Sequence, residues 1–200
     1  LGRSGSTLFA GTMGGIFRST DNGNHWVACN TGLTSQMIAR IAVLDSFIFV
    51  GTYNDGVFRS SNNGENWTAV NKYLHASATG ALIVHGSTIF VTGGDVGIHS
   101  STDRGENWTY LGLYGTDIHA LTVIGSSMFA GTDHGVYRSI DGGINWFEIG
   151  LHDKDIYTLE FYGTTLFAGS YGGGVYESKD NGNNWTSLNT GLPNMYVQSL

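Results

Sequence analysis

The chain has 200 residues, a net charge of −7, 31 glycines and one proline, with 12% charged against 40% hydrophobic and 12% aromatic residues. That balance disfavours a nucleic-acid ligand, which needs a basic footprint, and an anionic membrane surface; no run of eighteen apolar residues is present, so no membrane insertion is expected. Cys29 is the only cysteine, which excludes an intrachain disulfide and a cysteine zinc site and reads as a small buried apolar residue.

From the N-terminus, Leu8-Phe9-Ala10-Gly11-Thr12 and Ile16-Phe17-Arg18-Ser19 read as two strands, followed by Ser-Thr-Asp-Asn-Gly-Asn-His-Trp at 19–26. The same phrase returns at 60–67, 101–108, 139–146 and 178–185, so that Trp26, Trp67, Trp108, Trp146 and Trp185 are 41, 41, 38 and 39 residues apart. A fixed period near forty means one supersecondary unit copied in series, and such a unit cannot bury its apolar face alone. A single domain of five repeats over 1–200 is therefore expected.

The second copy shows the unit in full. Ile38–Leu44 is strand A, Asp45-Ser46 a tight turn, and Phe47–Thr52 strand B, apolar on both faces. Gly56–Ser60 is strand C, the segment around Asn62-Asn63-Gly64 turns the chain, and Trp67–Val70 is strand D. Strand B recurs at 89–92, 128–132 and 166–170, and strand C at 97–100, 136–139 and 175–178. Short strands with frequent turn signals, four per forty residues, predict an all-β five-bladed β-propeller of four-stranded antiparallel blades. No window sustains a 3.6-residue apolar period, so almost no helix is expected. Val197–Leu200 matches the start of strand A and Leu1 matches Ile41. One strand A is thus split between the chain termini, which leaves open edges through which copies could self-associate. The absence of an initiator Met and of a signal peptide reads as a trimmed product.

The phrase Ser-x-Asp-x-Gly-x-x-Trp resembles the Asp-box, or BNR, repeat, similar to sialidase-like, sortilin-like and photosystem II assembly factor-like propellers. The resemblance covers essentially the whole chain and implies the propeller fold; function varies widely on that scaffold. The residues support a structural role. Asp21, Asp103, Asp141 and Asp180, with Asn62 in the second copy, stand where a side-chain oxygen accepts backbone N–H bonds in a turn. The Gly two residues on supplies a positive φ. Each Trp is expected to pack between sheets; roughly 200 Å² at ~25 cal/mol per Å² contributes up to about 5 kcal/mol before entropy. A catalytic carboxylate is needed once or in a pair, not at five equal spacings.

No catalytic constellation stands out. Sialidase-type chemistry needs converging arginines, whereas Arg18, Arg59 and Arg138 occupy one repeated position, with His99 and Glu177 in the other copies, and no Arg-Ile-Pro is present. The seven histidines form neither HxH nor HExxH. No metal site and no cofactor are expected, and the chain reads as not an enzyme. The irregular loops D–A and B–C share one propeller face, where function is usually grafted. Candidate ligand-binding residues there are Tyr53, Asp55, Tyr73, His75, Tyr114, Asp117, His134, His152 and Tyr171, with Asn54, Asp95, Asp133, Asp153, Asp155 and Tyr196 as further candidates on the same loops. Tyr rings beside Asp, Asn and His suit stacking on a glycan or gripping a protein partner. The expectation is an extracellular or periplasmic recognition or scaffold module. The alternatives are a self-assembling subunit completed through its strand edges and part of an Asp-box glycoside hydrolase.

Overall fold

The computed structural model describes residues 1–74, 78–93 and 96–200. The chain divides into two compact units, one of Leu1–Gly94 with Ile98–Tyr110 and one of Asp95–Gly97 with Leu111–Leu200. The first unit carries β1 (Gly2–Ser4), β2 (Thr7–Thr12), β3 (Gly15–Ser19) and β4 (Val27–Ala28) in one sheet. A second sheet holds β5 (Ile38–Leu44), β6 (Phe47–Thr52), β7 (Val57–Ser60) and β8 (Thr68–Ala69). The third holds β9 (Leu82–His85), β10 (Thr88–Thr92), β11 (Ile98–Ser101) and β12 (Thr109–Gly112), whose last two residues belong to the second unit. In the second unit, β13 (Ile118–Ile124), β14 (Ser127–Thr132), β15 (Gly135–Ser139) and β16 (Phe147–Glu148) form one sheet. The last sheet comprises β17 (Ile156–Tyr162), β18 (Thr165–Ser170), β19 (Gly174–Ser178) and β20 (Thr186–Ser187).

Every sheet is four strands in sequence order, with antiparallel pairing, as in Val43↔Ile48 and Phe49↔Arg59. This is the five-bladed all-β propeller architecture expected from the repeat. Among the described residues no helix is long and apolar enough to cross a membrane. Strand B runs through the middle of each sheet and carries the core. Phe9, Phe49 and Phe129 are fully buried. Phe9, Ile16, Cys29, Ile38, Ile48, Val50, Phe58 and Trp67 pack as one cluster in the first unit. In the second, Phe129, Val136, Ile156, Leu159 and Leu166 do the same. Cys29 is buried there as expected, and burial pushes its thiol pKa up. The glycine near the end of strand B permits the close approach of the next copy. A Cβ on Gly131 would stand 2.7 Å from Ile156 Cγ2, tighter than a packed core tolerates.

Strand A is bulged at its start. The register shifts between Ile38 and Arg40, Ile118 and Ala120, and Ile156 and Thr158, so Ala39, His119 and Tyr157 have no ladder partner. A bulge re-aims a side chain beside an otherwise regular ladder. The two terminal segments lie one in each unit. β1 pairs with β2 over three residues. The Val197 N–H donates to the Ser170 carbonyl at 3.0 Å, the bond that Thr79 makes to Thr52 at 2.9 Å ahead of β9.

Strand D is shorter than expected. In the second copy only Thr68–Ala69 pair with strand C, because Trp67 leaves the ladder to bond with the first copy. Its backbone N–H donates to the Thr31 carbonyl at 2.9 Å and its indole Nε1–H to the Cys29 carbonyl at 2.7 Å. The same indole bond recurs from Trp108 to Val70 at 2.6 Å, Trp146 to Leu111 at 2.9 Å and Trp185 to Ile149 at 3.2 Å. Trp67 and Trp108 are 4% and 5% exposed. Trp26 differs: it is 38% exposed and its indole turns back to the Gly23 carbonyl.

A second recurrent bond joins the copies. Arg18, Arg59 and Arg138 donate through Nη1 to the carbonyls of Asn63, Arg104 and Asn181 at 3.0, 2.8 and 2.9 Å. The arginines therefore brace neighbouring copies and do not converge. A further lock was not foreseen: Asn30, Asn71 and Asn189 accept through Oδ1 from the N–H of Ile16, Val57 and Val175 at 2.7–2.8 Å.

Removing a buried indole leaves a cavity and an unpaired carbonyl. Trp108→Ala is expected to cost about 3–5 kcal/mol, read from urea unfolding, with a smaller loss for Trp26→Ala. Equal losses for the two would contradict this packing.

Candidate functional site

The carboxylates of the repeated turn are the most regularly placed acids in the chain. Ser19 Oγ donates to Asp21 Oδ1 at 2.8 Å and accepts the Gly23 N–H at 2.9 Å. Asp21 Oδ1 also accepts the His25 N–H at 2.9 Å. Asp103, Asp141 and Asp180 accept the N–H of Asn107, Asn145 and Asn184 at 2.8–2.9 Å, and their Oδ2 atoms accept those residues' side-chain amides at 2.6–2.8 Å. In the first copy His25 Nδ1 takes the amide's place, 2.6 Å from Asp21 Oδ2. Asn62 reproduces the backbone bond, to Asn66, at 3.0 Å. The turn needs two successive left-handed residues. Asn22, Asn63, Arg104 and Asn181 have φ near 60°, and the following glycine lies between 80° and 93° in all five copies. Both oxygens of each carboxylate are thus held in the turn, as a structural role requires.

These bonds favour the charged form. The side-chain and backbone donors of Asn107 and the hydroxyl of Ser101 lower the Asp103 pKa from 3.8 to about 2. The same contacts, led by the Asn145 N–H, lower Asp141 to about 2. Asp21 and Asp180 are lowered too, Asp21 chiefly by the His25 N–H and Asp180 chiefly by the Asn184 amide.

The loop candidates separate between the units. In the first, Tyr53 donates its N–H to the Met37 carbonyl at 3.0 Å, and Asp55 Oδ2 accepts the Thr34 hydroxyl at 2.6 Å. Tyr73 is exposed, with Lys72 Nζ 5.0 Å from its ring. His75 and Asp95 lie outside the described residues. In the second unit Tyr114 is exposed, and the Asp117 carbonyl accepts the Asp133 N–H at 3.2 Å. His134 Nδ1 stands 2.8 Å from Asp133 Oδ1, a contact that raises the His134 pKa. His152 Nδ1 is 3.8 Å from Glu148 Oε1.

Tyr171 belongs to a row of rings. His119 stacks on Tyr157 with centroids 4.4 Å apart, Tyr157 lies 5.5 Å from Tyr171, and Tyr171 meets Tyr196 edge-on at 4.5 Å. The backbone fixes the row. Tyr171 donates its N–H to the Asp155 carbonyl at 2.8 Å and forms an isolated antiparallel bridge with Tyr196. His119 Nε2 stands 3.0 Å from Asp155 Oδ1. That approach is an ion-pair distance without hydrogen-bond alignment, so the buried Oδ1 atom keeps no hydrogen-bond partner. Burial, then the charges of Asp155, Tyr171 and Asp117, raise the Tyr157 pKa.

Tyr171 stood among the candidates read from the sequence; His119 and Tyr157 did not. The available signal was positional: His119 and Tyr157 each follow the isoleucine that opens strand A, the place taken by Ala39 in the second copy. Among the described residues no group of three His, Cys, Asp or Glu could hold a metal ion.

The fold and this geometry define a β-propeller. No protein-family model and no curated protein matches the chain. Among solved structures it is similar to an ancestral GH74 enzyme, at 21% identity and a TM-score of 0.81, over 96% of this chain and 31% of that one. It is similar to the extracellular domain of a hybrid two component system from B. thetaiotaomicron, at 14% identity and a TM-score of 0.81, over 97% and 28% of the two chains. It also resembles YCF48, solved bound to D1 peptide, at 15% identity and a TM-score of 0.67, over 88% and 62%. The chain thus spans about a third of the length of the first two. These likenesses establish the propeller fold. They also correct the expectation of a chain that is not an enzyme: GH74 glycoside hydrolases recur among the similar structures, so this scaffold is one that carries enzymes. The lack of a legible acid–base pair was too weak a ground for that expectation.

The turn carboxylates make stability depend on acid. Each folded pKa lies below its unfolded value, so the folded state binds fewer protons and stability falls as pH drops through the window from about 4 to about 2. Asp103→Asn is expected to flatten that fall, measured as urea midpoints stepped from pH 5 to pH 2; an unchanged slope would contradict the pairing.

Proposed function

We propose that the chain is a recognition propeller of the Asp-box type, a single domain of five repeats over 1–200. It binds a protein or glycan through the row His119, Tyr157, Tyr171 and Tyr196. The observation that carries this reading is the exposure of the row's outer end: Tyr171 is 53% and Tyr196 55% exposed, although both are backbone-bonded and in ring contact. Large amphipathic rings held rigid at low entropy cost are what a binding surface uses. The exposed half of the row also lies on irregular segments, Tyr171 just after β18 and Tyr196 just before Val197, where a scaffold is free to vary. YCF48, a similar structure, was solved with a peptide bound. An extracellular or periplasmic setting is part of the proposal; the likeness to the extracellular domain of a two component system supports it.

The test is a binding screen, with immobilised glycans and peptides, of the wild-type chain and a Tyr171→Ala/Tyr196→Ala variant. Loss of a hit with an unchanged melting temperature is the expected outcome. A hit retained by the variant moves the site off the row.

A further inference from the structure

We infer that the row takes a cationic side chain, an arginine for preference, presented by an extended segment of a partner protein; this rests on the reading of the row as the binding surface. Two independent features meet there. One is the set of rings, two of them more than half exposed. The other is the sign of the charge around them. Asp155 sits at the inner end, with its buried Oδ1 3.0 Å from His119 Nε2. The backbone brings further acids to the flank: the Asp155 carbonyl accepts the Tyr171 N–H at 2.8 Å, and the Asp117 carbonyl accepts the Asp133 N–H at 3.2 Å. The basic groups close by are already engaged: His119 with Asp155, His134 with Asp133, and Lys154 Nζ with Asp153 at 3.2 Å.

Charge complementarity selects the ligand. A neutral sugar laid on the rings would strip water from the carboxylates and bring no countercharge. A guanidinium offsets that loss. Its plane lies on an aromatic face, where the quadrupole attracts a cation. Its N–H groups reach carboxylate oxygens in charge-assisted bonds. A lysine ammonium gains the first effect and less of the second. The net charge of −7 adds long-range steering of a basic partner. The site is also extended: it runs from the bulge residue of β13, past that of β17, to the segment before Val197. A peptide in extended conformation fits such a row better than a compact molecule does.

The test uses the 200-residue chain and three probes: a short Gly-Arg-Gly-Arg-Gly peptide, the same peptide with citrulline for arginine, and a neutral cello-oligosaccharide. Citrulline keeps the shape and planarity of arginine and removes the charge. Titration followed by the side-chain NMR signals of Tyr157, Tyr171 and Tyr196 locates the binding. The arginine peptide is expected to shift those signals and to bind about tenfold more tightly than the citrulline peptide. Tyr196→Ala and Asp117→Asn are each expected to weaken it, and raised salt to do the same. Tyr171→Phe keeps the ring and is expected to retain binding, which guards against a variant that fails only by misfolding. Equal binding of arginine and citrulline peptides overturns the inference. Shifts caused by the oligosaccharide alone overturn it too, and leave the row standing as a binding surface. If no probe moves the tyrosine signals, both the inference and the reading beneath it fail.

Discussion

An indole N–H reaching the backbone carbonyl of the preceding copy is the contact on which the arrangement rests. Most of the fourth strands have only two residues, too few to persist on their own ladder bonds. The tryptophan that enters each strand supplies what the ladder lacks. Its rings bury more apolar area than other side chains, and its single donor must find a partner once buried. Because that partner is a main-chain oxygen about 38 residues earlier, closing one copy means docking it on its neighbour. Trp26 shows the converse. Its indole bonds to the Gly23 carbonyl of its own turn, as Trp146 does to Gly143 beside its bond to Leu111, and Trp26 stays more than a third exposed.

Much of this was legible from the five tryptophans and the spacing between them. Strand B was read closely because its residues are apolar on both faces, and β5 and β6 begin and end where Ile38–Leu44 and Phe47–Thr52 had been placed. Strand D was overextended because a run such as Trp67–Val70 looks like strand in isolation; its pattern does not reveal that Trp67 bonds outside its own sheet. The Asn30, Asn71 and Asn189 locks went unseen for a related reason. An Asn after a short strand is a common turn residue, and only tertiary placement reveals an amide holding the start of strand C.

The candidate site was half legible. Tyr171 stood out as an aromatic in an irregular segment. His119 and Tyr157 did not, because they sit inside segments that read as ordinary strand. The bulge at the opening of strand A changes their meaning: it removes them from the ladder and lets them stack across two copies. The carboxylates of the repeated turn, expected from their regular spacing to be structural, are bonded within the turn itself. Each oxygen already accepts the N–H groups of its own turn, as Asp103 does.

The arginine braces end on the carbonyls of Asn63, Arg104 and Asn181, and these acceptors are backbone atoms. The indole bonds end on carbonyls as well, those of Cys29, Val70, Leu111 and Ile149. A carbonyl is present whatever residue bears it, as the different identities at both sets of positions illustrate. The joints between copies therefore carry no address. A copy contributes a generic plug and offers a generic socket, so copies can be duplicated, deleted or exchanged with little need for matched changes next door. Such a lineage can lengthen or shorten its array while its loops diverge, and individuality is left to the few positions, such as 119 and 157, that make neither the indole nor the arginine bond.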